Sequence, residues 1–211
     1  MLHKKLRQQL VETTASTIKA GLNQGASGNI SVRVEEGFLV TPSGLSHEKM
    51  SADDIVFMNM KGDHEGHYKP SSEWRFHRDI YLHRKDAGAV LHAHPKACTT
   101  LACLHREIPA FHYMIALAGG NNIRCAPYAV FGSQQLSDNA LSALENRKAC
   151  LLANHGMLCL DANLGKVFAL ATEIENLAQI YMQVLQTGDP IILSEEEMNT
   201  VKTIFIDYQK Q

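Results

Sequence analysis

The histidines carry the strongest chemical signal in this sequence. Eleven of its 211 residues are His, above the share of an average soluble domain, and two of them stand in His92-Ala93-His94. On a strand, residues two apart leave the same face, so both imidazoles project side by side just before the chain turns at Pro95. That suits two ligands of one metal, and equally two unrelated polar side chains at a strand end. A third imidazole comes from Asn154-His155-Gly156, at the end of the apolar run Ala149 to Ala153, where the glycine is expected to permit a tight turn. Three imidazoles match a catalytic zinc site that keeps one position open.

Glu73 is the candidate carboxylate. It is expected in the first turn of a helix starting near Ser71, where the macrodipole favours negative charge. That helix start reads two ways: a phosphate site built from free N–H groups and the Ser71 and Ser72 hydroxyls, or ordinary N-capping by one of those serines. His77 lies four residues on, so a Glu73 and His77 zinc pair is geometrically allowed, against a core-facing His beside Trp74. Gly28-Asn29-Ile30-Ser31 and Thr41-Pro42-Ser43-Gly44 are loops open to close backbone approach by an oxygen-rich ligand; neither matches a P-loop or a dinucleotide turn. Tyr113, beside His112, offers a phenol for proton transfer or a packing ring. His3, His47, His64, His67, His83 and His105 read as structural or exposed.

These groups need elements to hold them. Apolar periodicity predicts a first helix over residues 1–20, ended by Gly21, then strands at Ile30 to Val34, Gly37 to Val40 and Ile55 to Met60. A polar loop, Lys61 to Lys69, precedes a helix from Ser71 to about Lys85. A strand over Ala89 to His94 leads into a helix ending near Leu104, and Ile108 to Tyr128 stays ambiguous around the loop Ala118 to Asn122. Ser137 to Asn146 reads as a helix, Ala149 to Asn154 and Met157 to Leu160 as strands, Asn163 to about Thr187 as a long helix, and Glu195 to Tyr208 as the last. Clustered strands with flanking helices, lacking strict βαβ alternation, predict a sheet covered by helices, as α+β or layered α/β/α.

Composition narrows the function classes. With 45% hydrophobic and 20% charged residues, one domain spanning 1–211 can bury a core. Lys and Arg number 20 against 22 Asp and Glu, a formal charge of −2 without blocks of one sign, so neither nucleic acid nor a membrane surface is an expected partner. No apolar stretch reaches a spanning length, and MLHKKLRQQL lacks a signal-peptide core. Five Cys without a CxxC pair read as reduced thiols, agreeing with a cytoplasmic protein.

Taken together these motifs resemble the class II (metal-dependent) aldolase and adducin-head family, most closely its bacterial L-fuculose-1-phosphate aldolase branch. Gly21-Leu22-Asn23-Gln24-Gly25, Gly28 to Ser31, Thr41 to Gly44, Pro70 to His77, His92-Ala93-His94, Ile108 to Gly120 and Asn154-His155-Gly156 occur in family order over almost the whole chain. The resemblance implies an α/β (α+β) domain with a central, mostly antiparallel sheet in three α/β/α layers. It implies one zinc per subunit held by Glu73, His92, His94 and His155, with Glu73 as acid/base, and phosphate binding at Asn29, Ser43, Gly44, Ser71 and Ser72. It also implies a cyclic homotetramer in which Tyr113 enters a neighbour's site, and a mobile cover at Tyr208. The implied reaction cleaves a ketose 1-phosphate into dihydroxyacetone phosphate and a small aldehyde such as L-lactaldehyde, Tyr113 taking the hydroxyl proton and Glu73 returning one to carbon. His-Ala-His stands where the fuculose phosphate enzymes tend to place Asn between the histidines, and Ser43 where Thr is common. These departures leave L-fuculose 1-phosphate, 5-deoxyribulose 1-phosphate and 5-methylthioribulose 1-phosphate as substrates to separate. Sugar-phosphate 4-epimerase, methylthioribulose-phosphate dehydratase and a metal-free adducin-like binding module are the competing readings.

Overall fold

Alternating side chains build a nine-stranded sheet whose central strands are buried on both faces. The computed structural model describes residues 2–208, with side chains through Phe205. Its strands are β1 (Asn29–Val34), β2 (Gly37–Val40), β3 (Val56–Asn59), β4 (His64–Glu65), β5 (Ala89–Ala93), β6 (Ile108–Pro109), β7 (Asn122–Ala126), β8 (Ala149–Leu152) and β9 (Gly156–Asp161). They lie in the order β4-β3-β2-β1-β5-β9-β8-β7-β6, and every neighbouring pair is antiparallel except β7 with β8. The helices are α1 (Lys4–Lys19), α2 (Trp74–His83), α3 (Lys96–Cys103), α4 (Gln134–Ala143), α5 (Leu164–Thr187) and α6 (Glu195–Tyr208).

The expected three layers are present, and strand parity explains them. Along β5, Ala89, Leu91 and Ala93 join Leu10 of α1, Leu101 of α3 and Ile174 of α5 in one core. Val90 belongs to a second core on the opposite face with Phe76 and Ile80 of α2 and Leu136 and Ala140 of α4. Strand β9 repeats the pattern, with Met157 and Cys159 in the first core and Leu158 and Leu160 in the second. A strand covered on both faces calls for an unbroken apolar run. All five residues of β5 are buried, and His92 is the one titratable side chain among them.

Several boundaries differ from the sequence reading for identifiable reasons. Helix α2 begins at Trp74, and Glu73 itself takes the cap position without a side-chain capping bond. Ser71 and Ser72 therefore do not N-cap the helix. Ser71 Oγ accepts from Glu73 N–H at 3.3 Å in the turn before the helix, and the segment is tied to the sheet by Ser71 N–H donating to Thr41 O at 3.1 Å beside a Pro42 to Pro70 bridge. Helix α4 starts earlier than Ser137 because Ser133 Oγ accepts from Leu136 N–H. The expected loop after Lys61 contains β4, and the ambiguous stretch resolves into β6, a 3₁₀ turn over Tyr113–Ala118 and β7. In the β8–β9 hairpin, Asn154 takes the left-handed conformation at φ 55°, not Gly156. Gly156 is required for space: a Cβ there would press on Ala93 O and come within 2.7 Å of the His94 ring.

Candidate metal and active site

The sheet order brings the three imidazoles together. Register pairs Asn29 with His92 across β1 and β5, and His92 with Leu158 across β5 and β9, so the β8–β9 turn carries His155 to the end of β5. Potential ligand nitrogens of His92, His94 and His155 all lie within 4.8 Å of one another, and the Nε2 atoms of His92 and His94 are 2.8 Å apart. His92 Nδ1–H donates to Met157 O at 2.8 Å, an assignment made from the bonding pattern, which leaves the Nε2 lone pair facing the cluster. Glu73 completes the group: Oε2 lies 3.3 Å from His92 Nε2 and Oε1 lies 3.3 Å from His155 Nε2. Oε1 is buried with no hydrogen-bond partner.

This donor set fits a divalent cation. Burial pushes His92 down to about 3, helped by neighbouring His94 and opposed by the bond to Met157 O. Burial likewise pushes His155 down to about 4, with His92 and His94 adding to it and Glu73 opposing. His94 is lowered by burial against the pull of Glu73. All three imidazoles are consequently neutral near pH 7, the form that ligates metal. Inward lone pairs and an unpaired carboxylate oxygen are the arrangement a cation would satisfy, with three His suited to zinc and one position open.

The cluster floors a cleft of about 380 Å³ whose wall includes Gly28, Asn29, Ser43, Gly44, Ser71 and Ser72. The structure thus gathers every candidate phosphate residue around the metal candidates. Among the described residues no Lys or Arg lines the cleft. Asn29 does more than border it: its Nδ2–H donates to Glu73 Oε2 at 2.9 Å, and its Oδ1 accepts from His77 Nε2 at 2.6 Å. His77 is wholly buried and bonded to Asn29 and Ser31, so it does not form a zinc pair with Glu73. Tyr113 is 49% exposed, sits beside Phe205, and does not line this cleft. The Tyr208 side chain lies outside the described residues.

Sequence reasoning missed three contributors. Asn23 Oδ1 accepts from His94 N–H at 3.1 Å, and Gly28, at φ 75°, leaves room for the Asn23 side chain; the polar run around Asn23 was the available signal. Tyr128, the last residue of the ambiguous stretch, and Phe131, just beyond it, stand exposed at the cleft rim.

Residues 8–182 match the family model of the class II aldolase and adducin N-terminal domain. The chain belongs to this family. Among its class II aldolase relatives, the L-fuculose phosphate aldolase of Escherichia coli O6:H1 is 49% identical over 209 residues, covering 99% of this chain and 97% of that one. The 5-methylthioribulose-1-phosphate/5-deoxyribulose-1-phosphate aldolase of Rhodospirillum rubrum is 50% identical over 203 residues, covering 96% and 92%. A solved L-fuculose 1-phosphate aldolase superposes with a TM-score of 0.94 at 39% identity, covering 97% of this chain and 98% of its own. Among the described residues no helix is long and apolar enough to cross a membrane.

Proposed function

We propose that this class II aldolase family member is a zinc-dependent aldolase that reversibly cleaves a ketose 1-phosphate to dihydroxyacetone phosphate and a small aldehyde. The observation that carries the reading is the meeting of three neutral imidazoles with a buried carboxylate that keeps one oxygen unpartnered, at the floor of a hydroxyl-lined cleft. His92, His94 and His155 would hold the zinc, which when bound supplies Lewis acidity toward the carbonyl and adjacent hydroxyl of the ketose. Glu73 is anchored through Oε2 by Asn29, so Oε1 is the oxygen that holds and returns the proton at carbon. With no Lys or Arg among the described residues lining the cleft, the phosphate rests on neutral donors: the start of α2 with Ser71 and Ser72, the Ser43 and Gly44 loop, and the second amide hydrogen of Asn29. Tyr113 reaches the reacting hydroxyl from a neighbouring subunit of a homotetramer, since its own chain points it away from this cleft. L-Fuculose 1-phosphate, 5-deoxyribulose 1-phosphate and 5-methylthioribulose 1-phosphate share the phosphate and the hydroxyketone and differ at the aldehyde end. A sugar-degrading role in the cytoplasm follows if the first is preferred.

The test is a coupled assay of dihydroxyacetone phosphate release from those three compounds, with and without a chelator. Chelator-sensitive release supports the reading and ranks the substrates. Absence of release from all three, in protein shown to contain zinc, would overturn it in favour of the family's epimerase or dehydratase chemistry.

A further inference from the structure

One face of β1 is polar and yet buried. Ile30 and Val32 enter the first core, while Asn29, Ser31 and Arg33 point the opposite way, toward α2, with Asn29 and Ser31 buried. Helix α2 and its cap answer with Glu73, His77 and Tyr81, four residues apart. Two strand residues advance about 6.7 Å and four helical residues about 6.0 Å, so the two periods stay in step over this length. The contacts interleave: Asn29 bonds Glu73 and His77, Ser31 Oγ lies 2.7 Å from both His77 Nδ1 and Tyr81 Oη, and Arg33 Nη2–H donates to Tyr81 O at 2.8 Å.

The directions of these bonds can be solved from one end. A carboxylate only accepts, so Asn29 turns its NH₂ toward Glu73 and its Oδ1 toward His77. Oδ1 only accepts, so His77 carries its proton on Nε2 and offers a lone pair at Nδ1. Ser31 must then donate to Nδ1, and Tyr81 must donate to Ser31. An Asn amide held at one end only can turn over, which would set Oδ1 against Glu73 Oε2. Only the Nε2–H tautomer blocks that turn, and Ser31, donating to Nδ1 while accepting from Tyr81, stabilises it.

We propose that the buried file Tyr81, Ser31 and His77 positions Glu73, by holding the Asn29 amide in the one orientation that bonds Glu73 Oε2 and leaves Oε1 free. His77 is a positioning residue acting through Asn29; its kinetic consequence rests on the aldolase reading above. The file is a strand-to-helix ladder that sets the aim of the acid/base from the side away from substrate.

The experiment combines ¹⁵N imidazole spectra with kinetics on zinc-loaded His77→Phe, His77→Gln, Ser31→Ala and Tyr81→Phe. The wild type, with and without zinc, is expected to show His77 as the neutral Nε2–H tautomer, and Ser31→Ala a mixture of tautomers. Ser31→Ala should lower kcat about tenfold and His77→Phe about a hundredfold with zinc retained and a smaller rise in KM, since the same Asn29 amide also donates to the phosphate, whereas His77→Gln, which keeps an N–H for Asn29, restores most of kcat. Tyr81→Phe should lower kcat least, being farthest from Glu73. An Nδ1–H tautomer in the wild type would overturn the proposal, as would a Gln variant no better than Phe or losses that follow melting temperature and zinc content alone. If His77→Phe does not fold, Ser31→Ala and Tyr81→Phe carry the kinetic arm. If the wild type releases no dihydroxyacetone phosphate, the aldolase reading falls, while the spectra of the wild type and Ser31→Ala still accept or reject the file.

Discussion

An imidazole with no exposed surface, set in an otherwise apolar strand, is kept there only by its partners. His92 has Met157 O on one nitrogen and the His94, His155 and Glu73 group on the other, which makes each member sensitive to loss of its neighbours. Replacing His155 by Ala is expected to weaken zinc binding by more than about a hundredfold and abolish cleavage. Metal content after dialysis against a competing chelator measures this, and stoichiometric zinc with full activity would remove His155 from the site. Glu73→Gln keeps the shape and the Asn29 contact but not the basicity; kcat should fall by about 10² to 10⁴ while the thermal unfolding curve stays close to wild type. A near-normal rate would reject the acid/base role. The shared face of His92 and His94 could be read from their spacing on a strand, though that pattern equally suits two unrelated polar side chains and only the sheet order adds His155. His77 could not be read this way. Polar alternation in Asn29, Ser31 and Arg33 ordinarily marks a face turned to water, and nothing local says that α2 covers it with hydrogen-bonding groups at matching intervals.

Glu175 shows how one element fixes another near the site. Projecting from α5, its carboxylate accepts from the N–H groups of Ala97 and Cys98, both at 2.9 Å, so it satisfies the first turn of α3 in the buried core. Helix α3 begins two residues after His94, and loss of that cap should loosen the metal strand as well as the helix. Glu175→Ala is expected to cost about 2–3 kcal/mol in denaturant unfolding, and Glu175→Gln less because one acceptor remains; equal stability of all three proteins would refute the cap. Asp79 joins α2 to α4 in a similar way, accepting from Arg78, Ser137 and Gln134. Burial pulls its carboxyl up, but those bonds together outweigh burial and hold it below the usual carboxylate range. A lowered folded-state pKa stabilises the protein above the unfolded value near 3.9 and loses that contribution as pH falls through the folded value. The stability gap between wild type and Asp79→Asn should therefore be flat from pH 5 to 7 and shrink below about pH 4; a constant gap would contradict it. Long apolar periods such as α5 were legible to within a residue. The start of α4 was not, since the Ser133 cap precedes any apolar signal, and neither was the start of α2, where Ser71 is tied to Thr41 through its N–H while its hydroxyl accepts from Glu73 N–H in a turn before the helix.

At the scale of the whole molecule, one chain supplies the metal group and the cleft but not Tyr113, which stands exposed elsewhere. If sites in the proposed tetramer are shared between subunits, two dead variants should rescue each other. Co-expressed Tyr113→Phe and Glu73→Gln chains, mixed at random in a ring, leave about a quarter of sites intact. Activity of mixed tetramers well above either parent is the expected result; additive parental rates would place Tyr113 in the same chain's site as Glu73, and a fully active Tyr113→Phe would place it outside the reaction. The layered architecture was legible from clustered strands and flanking helices, whereas strand order was not, because β9 enters between β5 and β8 through pairings that no local pattern encodes. That insertion also orders events in time. Glu73, His92 and His94 are on the early part of the chain, and His155 arrives with the hairpin that closes the middle of the sheet more than sixty residues after His94. A nascent chain offers only a partial, weakly binding set until its most distant sheet contacts have formed. A cation at the proposed site would thus be acquired by an already folded protein instead of guiding its folding, and its supply would set how much of the protein is active without setting how much folds.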